Sequence, residues 1–516
     1  MVNKINSFIE SLAHYKPSAR IKYTFGAVVI VGIMAHLYMY ANRIVNHDAV
    51  FALSVSGITV ASGRWFLHIL TEISFFFMNN YVTPWGIGCV TIALYGICAS
   101  LIVLTYDIKN KWLCAALGGV LIAFPSITSI NLYIFTAHYY AFACLLACLS
   151  VYSVNRKVSL LSVVFSALLL MLSLGIYQAY LPFALSMYVI LIIFRCSRSN
   201  EKVGDIVLTA CAFLASIILG LVAYFIANRI ALSISGKQLG AYMGLDTMGS
   251  INLKDLPSIL YQCYHNFINL FLMDYCGVNH KGWLRMIMLI GFVFFAAMIF
   301  YKMFKKKVGW IKCLLGVAAL IVMPIAINAI YMMMRVDISN NTIVVFATVF
   351  VLLCPILASS ESTDVLTVKT RRAIFLCVLL ASSVVTVYYC DLANETYISL
   401  EYSNKNANAY YTSLATQIKS LDNFSPELKV ALIGEVQDPT IPEIECDYIV
   451  RGTFTSKELI DAYSREYYIS MHCGYSPEFV TNTDLLEEDV RVQEMPIYPA
   501  AGSVKIIDDI VVVRFS

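Results

Sequence analysis

A chain of 516 residues that is 59% hydrophobic and only 13% charged, with a mean hydropathy of +0.73, is not an ordinary soluble protein. It reads as a polytopic α-helical membrane protein. The formal net charge of +3 says little about partners, since in a membrane protein the placement of Lys and Arg matters more than their sum. Nothing resembles a nucleic-acid-binding surface, and the lack of a Gly-rich phosphate loop argues against a nucleotide-driven transporter.

Each crossing needs about 20 apolar residues to cover roughly 30 Å at 1.5 Å per residue. Lys4, Lys16, Arg20 and Lys22 precede the first such run, 25–40, which has no small-residue cleavage site. It is expected to be an uncleaved signal anchor with a cytoplasmic N-terminus. Residues 41–82 then form a first external loop. Within it, 66–79 is apolar but interrupted by His68 and Glu72 and too short to span, so it is expected to lie along the interface. Spans follow at 84–106, 112–126 and 133–154, then at 160–175 and 180–194, joined by a tight outer turn Gly175-Ile176-Tyr177-Gln178, and at 205–227.

The loop 233–281 is amphipathic in part, with Ile259, Tyr264, Ile268 and Phe271 among polar residues, and is expected on the outer leaflet. Runs at 286–301, 313–332, 343–357 and 373–389 bring the expectation to about eleven spans. Basic residues at 109 and 111, 156 and 157, 195–202, 302–307 and 369–372 fall on every second connection, as the positive-inside rule requires. A crossing at 66–79 would turn all the later clusters to the wrong side.

The composition turns polar from Asn394 onward, and 394–516 is long enough for a small independent domain. Ala407, Tyr411, Leu414, Ile418 and Leu421 recur at helical spacing, while 429–436, 503–507 and 510–515 read as strands. The expectation is a membrane domain over 1–393 and a small external α/β domain over 394–516. Most of the 15 cysteines sit in spans, where they act as small apolar residues, and with no CxxC pair they argue against a metal or redox site. Cys446 and Cys473 fall in the external domain, where an oxidising compartment permits a disulfide, but spacing does not establish the pairing. No HExxH-like histidine spacing occurs.

Transfer of a sugar from a polyprenyl phosphate needs a carboxylate to deprotonate the acceptor hydroxyl and cations to hold the phosphate as it leaves. Asp48 lies just beyond the outer end of the first span, Arg64 later in the same loop, and Arg335 after the apolar run ending Tyr331-Met-Met-Met334. Arg64 and Arg335 present planar forks of donors suited to a phosphate. The blander readings are a solvated helix cap for Asp48, headgroup anchors for the arginines and a plain hairpin turn for Tyr177-Gln178.

The first loop, the hairpin Gly175-Ile176-Tyr177-Gln178-Ala179-Tyr180-Leu-Pro-Phe and the Arg335 region together resemble the bacterial serotype-converting O-antigen glucosyltransferases, membrane enzymes of the GT-C class. In that family the first external loop carries an acidic pair, a Gly and a Gly-Arg. Here these positions read His47-Asp48, Gly57 and Gly63-Arg64, with a histidine for the first acid and without the arginine often found shortly after the pair. The resemblance implies a GT-C-like bundle and inverting transfer of glucose from an undecaprenyl-phosphate donor lipid to a lipid-linked or surface glycan, on the periplasmic side of the bacterial inner membrane. No cofactor is implied, and the need for a divalent metal is left open. The implied roles are Asp48 as base, His47 polarising it or the acceptor, Arg64 and Arg335 binding the phosphate, and Tyr177 and Gln178 lining the sugar pocket, with Glu72 the next carboxylate in the loop.

The alternatives are a flippase or transporter, and a polymerase, of lipid-linked polysaccharide. A transporter would place ionisable residues near the bilayer midplane, whereas here they crowd the outer ends of the spans. A polymerase would share large external loops, but fits the soluble C-terminal part less well.

Overall fold

The computed structural model describes residues 17–50, 60–77, 82–240, 253–334, 341–361, 365–436, 449, 459 and 464–516. Gly57, Arg335 and Cys446 lie outside the described residues. In chain order the helices of the bundle are α1 (Ala19–Ala41), α2 (Trp65–Phe77), α3 (Pro84–Thr105), α4 (Lys111–Ala123), α5 (Pro125–Leu132), α6 (Ile134–Arg156), α7 (Leu160–Ile176) and α8 (Tyr180–Ser197). They continue as α9 (Val203–Ser235), α10 (Leu256–Leu272), α11 (Gly282–Lys305), α12 (Trp310–Ile327), α13 (Ala329–Met334), α14 (Val349–Glu361) and α15 (Val368–Lys419).

Eight of these, α1, α3, α6, α8, α9, α11, α12 and α15, are long and apolar enough to cross a membrane, and nine if α4 and α5, bent by 42° at their junction, are one span. The expected count of about eleven also took in 160–175 and 343–357, which here are α7 and the run Phe346–Glu361, both shorter helices. Helix α2 has 13 residues, also too short to cross. It buries Trp65, Leu67 and Thr71 against the bundle and exposes Ile69, Ile73, Phe76 and Phe77, the division expected of a helix lying in an interface.

The bend between α4 and α5 has a local cause. Phe124 precedes Pro125 and is held extended, with φ −60° and ψ 136°, because a proline disfavours the helical conformation in the residue before it. The short helix beyond the bend is buried at all eight positions although it carries Ser126, Thr128, Ser129 and Asn131. Buried polar groups need partners, and Ser126 donates to the Thr342 carbonyl at 2.6 Å while Asn131 Oδ1 accepts from Tyr40 at 3.1 Å.

The two ends of the bundle differ chemically. At the basic end, Glu361 pairs with Arg198 at 2.7 Å and with Lys302, and Lys312 donates to the Arg198 carbonyl at 2.8 Å. Lys302 and Lys312 are almost fully buried, so these partners offset the loss of water around their charges. Aromatic, hydroxyl, amide and Asp–His groups gather at the opposite end, around α5.

Helix α15 runs 52 residues without a break across position 394, roughly 78 Å at 1.5 Å per residue. Its far half buries Ala407, Tyr411, Leu414 and Ile418 against a sheet of β1 (Lys429–Ile433), β2 (Val504–Ile507) and β3 (Ile510–Arg514), flanked by α16 (Arg465–His472). The order is β1-β3-β2, with β1 parallel to β3 (Leu432 opposite Val513) and β2 antiparallel to it (Ile506 opposite Val511). Buried Arg465 ties α16 to the sheet by donating to the Leu432 carbonyl at 2.7 Å. Val45, Ala49 and Val50 of the first loop join this apolar cluster, so the loop that carries Asp48 is packed against the C-terminal unit.

Candidate functional site

Beyond α1 the chain turns back at residues 46–50, and Asn46 closes that turn. Its side-chain oxygen accepts from the Ala49 amide at 2.8 Å, and its carbonyl accepts from the Val50 amide at 3.1 Å. Asn404 of α15 fixes the preceding residue, donating to the Val45 carbonyl at 2.8 Å. The turn sets His47 beside Asp48, with Nε2 3.5 Å from Oδ1 and the Asp48 side chain 35% exposed. The His47 ring meets Tyr133 edge-on at 6.1 Å. Asp48 is thus reachable from water on a turn whose backbone is held by two asparagines.

The loop next dips toward the bundle. Gly63 has φ +72°, and a Cβ there would lie 2.7 Å from both the Gln178 amide nitrogen and the Tyr224 hydroxyl, so conformation and space alike demand glycine. Gln178 donates to the Ser62 carbonyl at 3.0 Å and to Tyr224 at 2.9 Å, and Tyr224 donates to the Gly63 carbonyl at 3.1 Å. Gly175 leaves room for Trp65, whose ring would be 2.8 Å from a Cβ at that position. Between these supports Arg64 donates to Tyr140 at 3.1 Å and lies 4.8 Å above the Tyr177 ring, which itself stacks on Tyr140 at 4.6 Å.

The structure therefore brings Gly63-Arg64 and Tyr177-Gln178 together, although more than 100 residues separate them. Tyr177 and Gln178 are buried and both touch the arginine loop: one carries the guanidinium on its face, the other holds the turn that aims it. Tyr133, whose ring meets His47, directly precedes α6, and Tyr140, which accepts from Arg64, lies in the second turn of that helix. Glu72 is not brought in: it lies on α2 with its side chain 60% exposed, 3.8 Å from His68.

The sequence reading missed several parts. Tyr140 and Tyr224 sit inside apolar runs with no motif around them, whereas Asn46, directly before His47-Asp48, is a recognisable turn residue. A second pair, Asp274 and His280, lies in the loop after α10, with Oδ2 and Nδ1 2.5 Å apart. That loop reaches α5 by way of Thr342, which donates to the Cys276 carbonyl at 2.5 Å. Among the described residues one group has metal-ligand spacing: Cys98, Cys144 and Cys148, with sulfurs within 4.8 Å of one another. All three are fully buried among apolar neighbours in α3 and α6 and pack as small apolar side chains.

In comparisons with known proteins, the family model described as Glucosyl transferase GtrII matches residues 37–353, a stretch that contains both the Asp48 turn and the Arg64 cluster. No curated protein and no solved structure matches the chain.

Proposed function

The chain belongs to the glucosyl transferase GtrII family, the serotype-converting O-antigen glucosyltransferases, and from that membership we propose that it moves glucose from a polyprenyl-phosphate donor to a surface glycan on the outer side of the bacterial plasma membrane. One observation carries this reading. The stretch between α1 and α2 carries a reachable carboxylate on a fixed turn and then an arginine on a tyrosine platform.

In the proposed reaction Asp48 takes the proton of an acceptor hydroxyl, and that oxygen attacks the anomeric carbon from the face opposite the phosphate. The bond from carbon to phosphate oxygen breaks with inversion. The departing polyprenyl phosphate gains one negative charge, which the Arg64 guanidinium offsets. Arg335 is the second proposed phosphate ligand, on the segment that leads from α13 to Thr342. His47, 3.5 Å from the Asp48 carboxylate, is the proposed group that polarises it or the acceptor.

The test is mass analysis of surface glycan from cells with and without the protein, followed by transfer from purified polyprenyl-phosphate glucose. One added hexose is expected, and an unchanged glycan mass overturns the reading.

The proposed orientation puts the basic end in the cytoplasm and the α15–sheet unit outside. Ser420→Cys, beyond the end of α15, is expected to react with an impermeant maleimide on intact cells, and Lys305→Cys, at the end of α11, only after permeabilisation. Labelling of Lys305→Cys on intact cells would reverse the orientation and remove Asp48 from the outer face.

A further inference from the structure

Helices α11 and α15 both pack on α14, and between them lies a groove of about 350 Å³, within the size range of small-ligand sites. Ile287 and Phe294 of α11 form one wall and Ile374 and Val385 of α15 the other, over a floor of Leu352 and Pro355 from α14. Ile287, Phe294 and Ile374 are half-buried, so the groove opens on the outside of the bundle, and Ser382 brings the one hydroxyl to its lining among the described residues. On α15 the lining runs from Ala373 to Val385, roughly 18 Å at 1.5 Å per residue, a little more than half of a hydrocarbon core roughly 30 Å thick. A lipid chain that fills one leaflet has the length and the chemistry to occupy it.

The two ends of the groove differ, and the difference selects the lipid. About one helical turn beyond Ile287 and Val385, Trp283 meets Tyr388 edge-on at 5.1 Å, the kind of aromatic pair that marks a membrane–water interface. Toward the other end both walls run into the basic end of the bundle. Arg371 stands roughly two turns from Val378 and so continues the groove face of α15, and Lys305, roughly five turns from Ile287, continues that of α11. An apolar slot that leads to cations from both of its walls is complementary to a hydrocarbon chain carrying an anionic head. We propose that this groove binds an anionic phospholipid of the leaflet at the basic end, with an acyl chain between α11 and α15 and the phosphate toward Arg371 and Lys305. This goes beyond the transfer reaction and does not depend on it. The polyprenyl donor is a poorer fit, because its phosphate is assigned to Arg64, which lies on Tyr177 at the end of α8 away from Arg195.

The full chain is purified in detergent, stripped of lipid and titrated with phosphatidylglycerol or with phosphatidylcholine of the same acyl composition, and bound lipid is counted by native mass spectrometry. One phosphatidylglycerol per chain is expected, held at least about tenfold more tightly than phosphatidylcholine, as two cations near the head imply. Cys377 is an exposed residue of the α15 wall, so Cys377→Trp fills the groove from its open side and is expected to weaken phosphatidylglycerol binding at least about tenfold. Lys305→Gln removes one charge at an exposed helix end and is expected to lower the preference for phosphatidylglycerol about fivefold. Equal retention of the two lipids, or a Cys377→Trp protein that binds like the unmodified one, overturns the proposal and leaves boundary lipid only. Displacement of phosphatidylglycerol by an equal concentration of polyprenyl phosphate overturns it in favour of the donor. Should Cys377→Trp not be recovered folded, Lys305→Gln decides by the headgroup preference, and an unchanged preference overturns the proposal.

Discussion

Asp48→Asn is expected to lower glucosyl transfer about a hundred- to ten-thousand-fold, or roughly 3 to 5 kcal/mol of barrier, the usual contribution of a positioned general base. Asparagine keeps nearly the shape of aspartate, and Asn46 and Asn404 hold the turn that carries it, so insertion and thermal stability should stay close to those of the unmodified protein. What disappears is the capacity to accept a proton. Donor-lipid binding, measured separately by displacement of a labelled polyprenyl phosphate, is expected to persist. A purified variant transferring within about threefold of the unmodified rate would show that Asp48 is not the base. Asp274, paired with His280 on the loop joined to α5 through Thr342, would then be the carboxylate to examine ahead of Glu72, which the fold leaves on an exposed helix face.

Much of the membrane part was legible because hydropathy and helical length obey the same physical requirement. The spans read at 84–106 and 133–154 are the helices Pro84–Thr105 and Ile134–Arg156, and the hairpin at 175–178 joins Leu160–Ile176 to Tyr180–Ser197. At Asn394 the composition changes without a change in backbone. The shift to polar residues at Asn394 marks the helix leaving its apolar surroundings, not a helix end, because no Pro or Gly interrupts Val368–Lys419. The span read at 112–126 falls on Lys111–Ala123 and the bend at Pro125, and the polar residues beyond the bend are buried by neighbours that hydropathy does not see. The site was legible as short motifs but not as a geometry. Gly63-Arg64 and Tyr177-Gln178 were both singled out, yet the bond from Gln178 to the Ser62 carbonyl is a contact across more than 100 residues. Tyr140 and Tyr224, which complete it, look like ordinary aromatic residues of apolar helices.

The Arg64 cluster carries the second large effect. If the guanidinium offsets the charge that grows on the leaving phosphate, Arg64→Ala should cost about a hundred- to a thousand-fold in kcat, the range found when one donor to a developing anion is removed. The charge alone is not the whole device, because the planar group also lies on Tyr177 and bonds to Tyr140. Arg64→Lys keeps the charge but cannot reproduce the flat stack with its forked donors, so it should recover only part of the loss and remain on the order of tenfold below the unmodified rate. Gly63→Ala probes the same site from the backbone. It keeps the arginine but puts a Cβ against Gln178 and Tyr224 at a positive φ that costs about 1–2 kcal/mol for other residues, so the turn that aims Arg64 must shift. Loss of kcat in all three variants, with normal expression in the membrane, is the expected pattern. Were Arg64→Ala to transfer at the unmodified rate, Arg64 would be a headgroup anchor, and the phosphate would have to be held elsewhere, with Arg335 the next residue to replace.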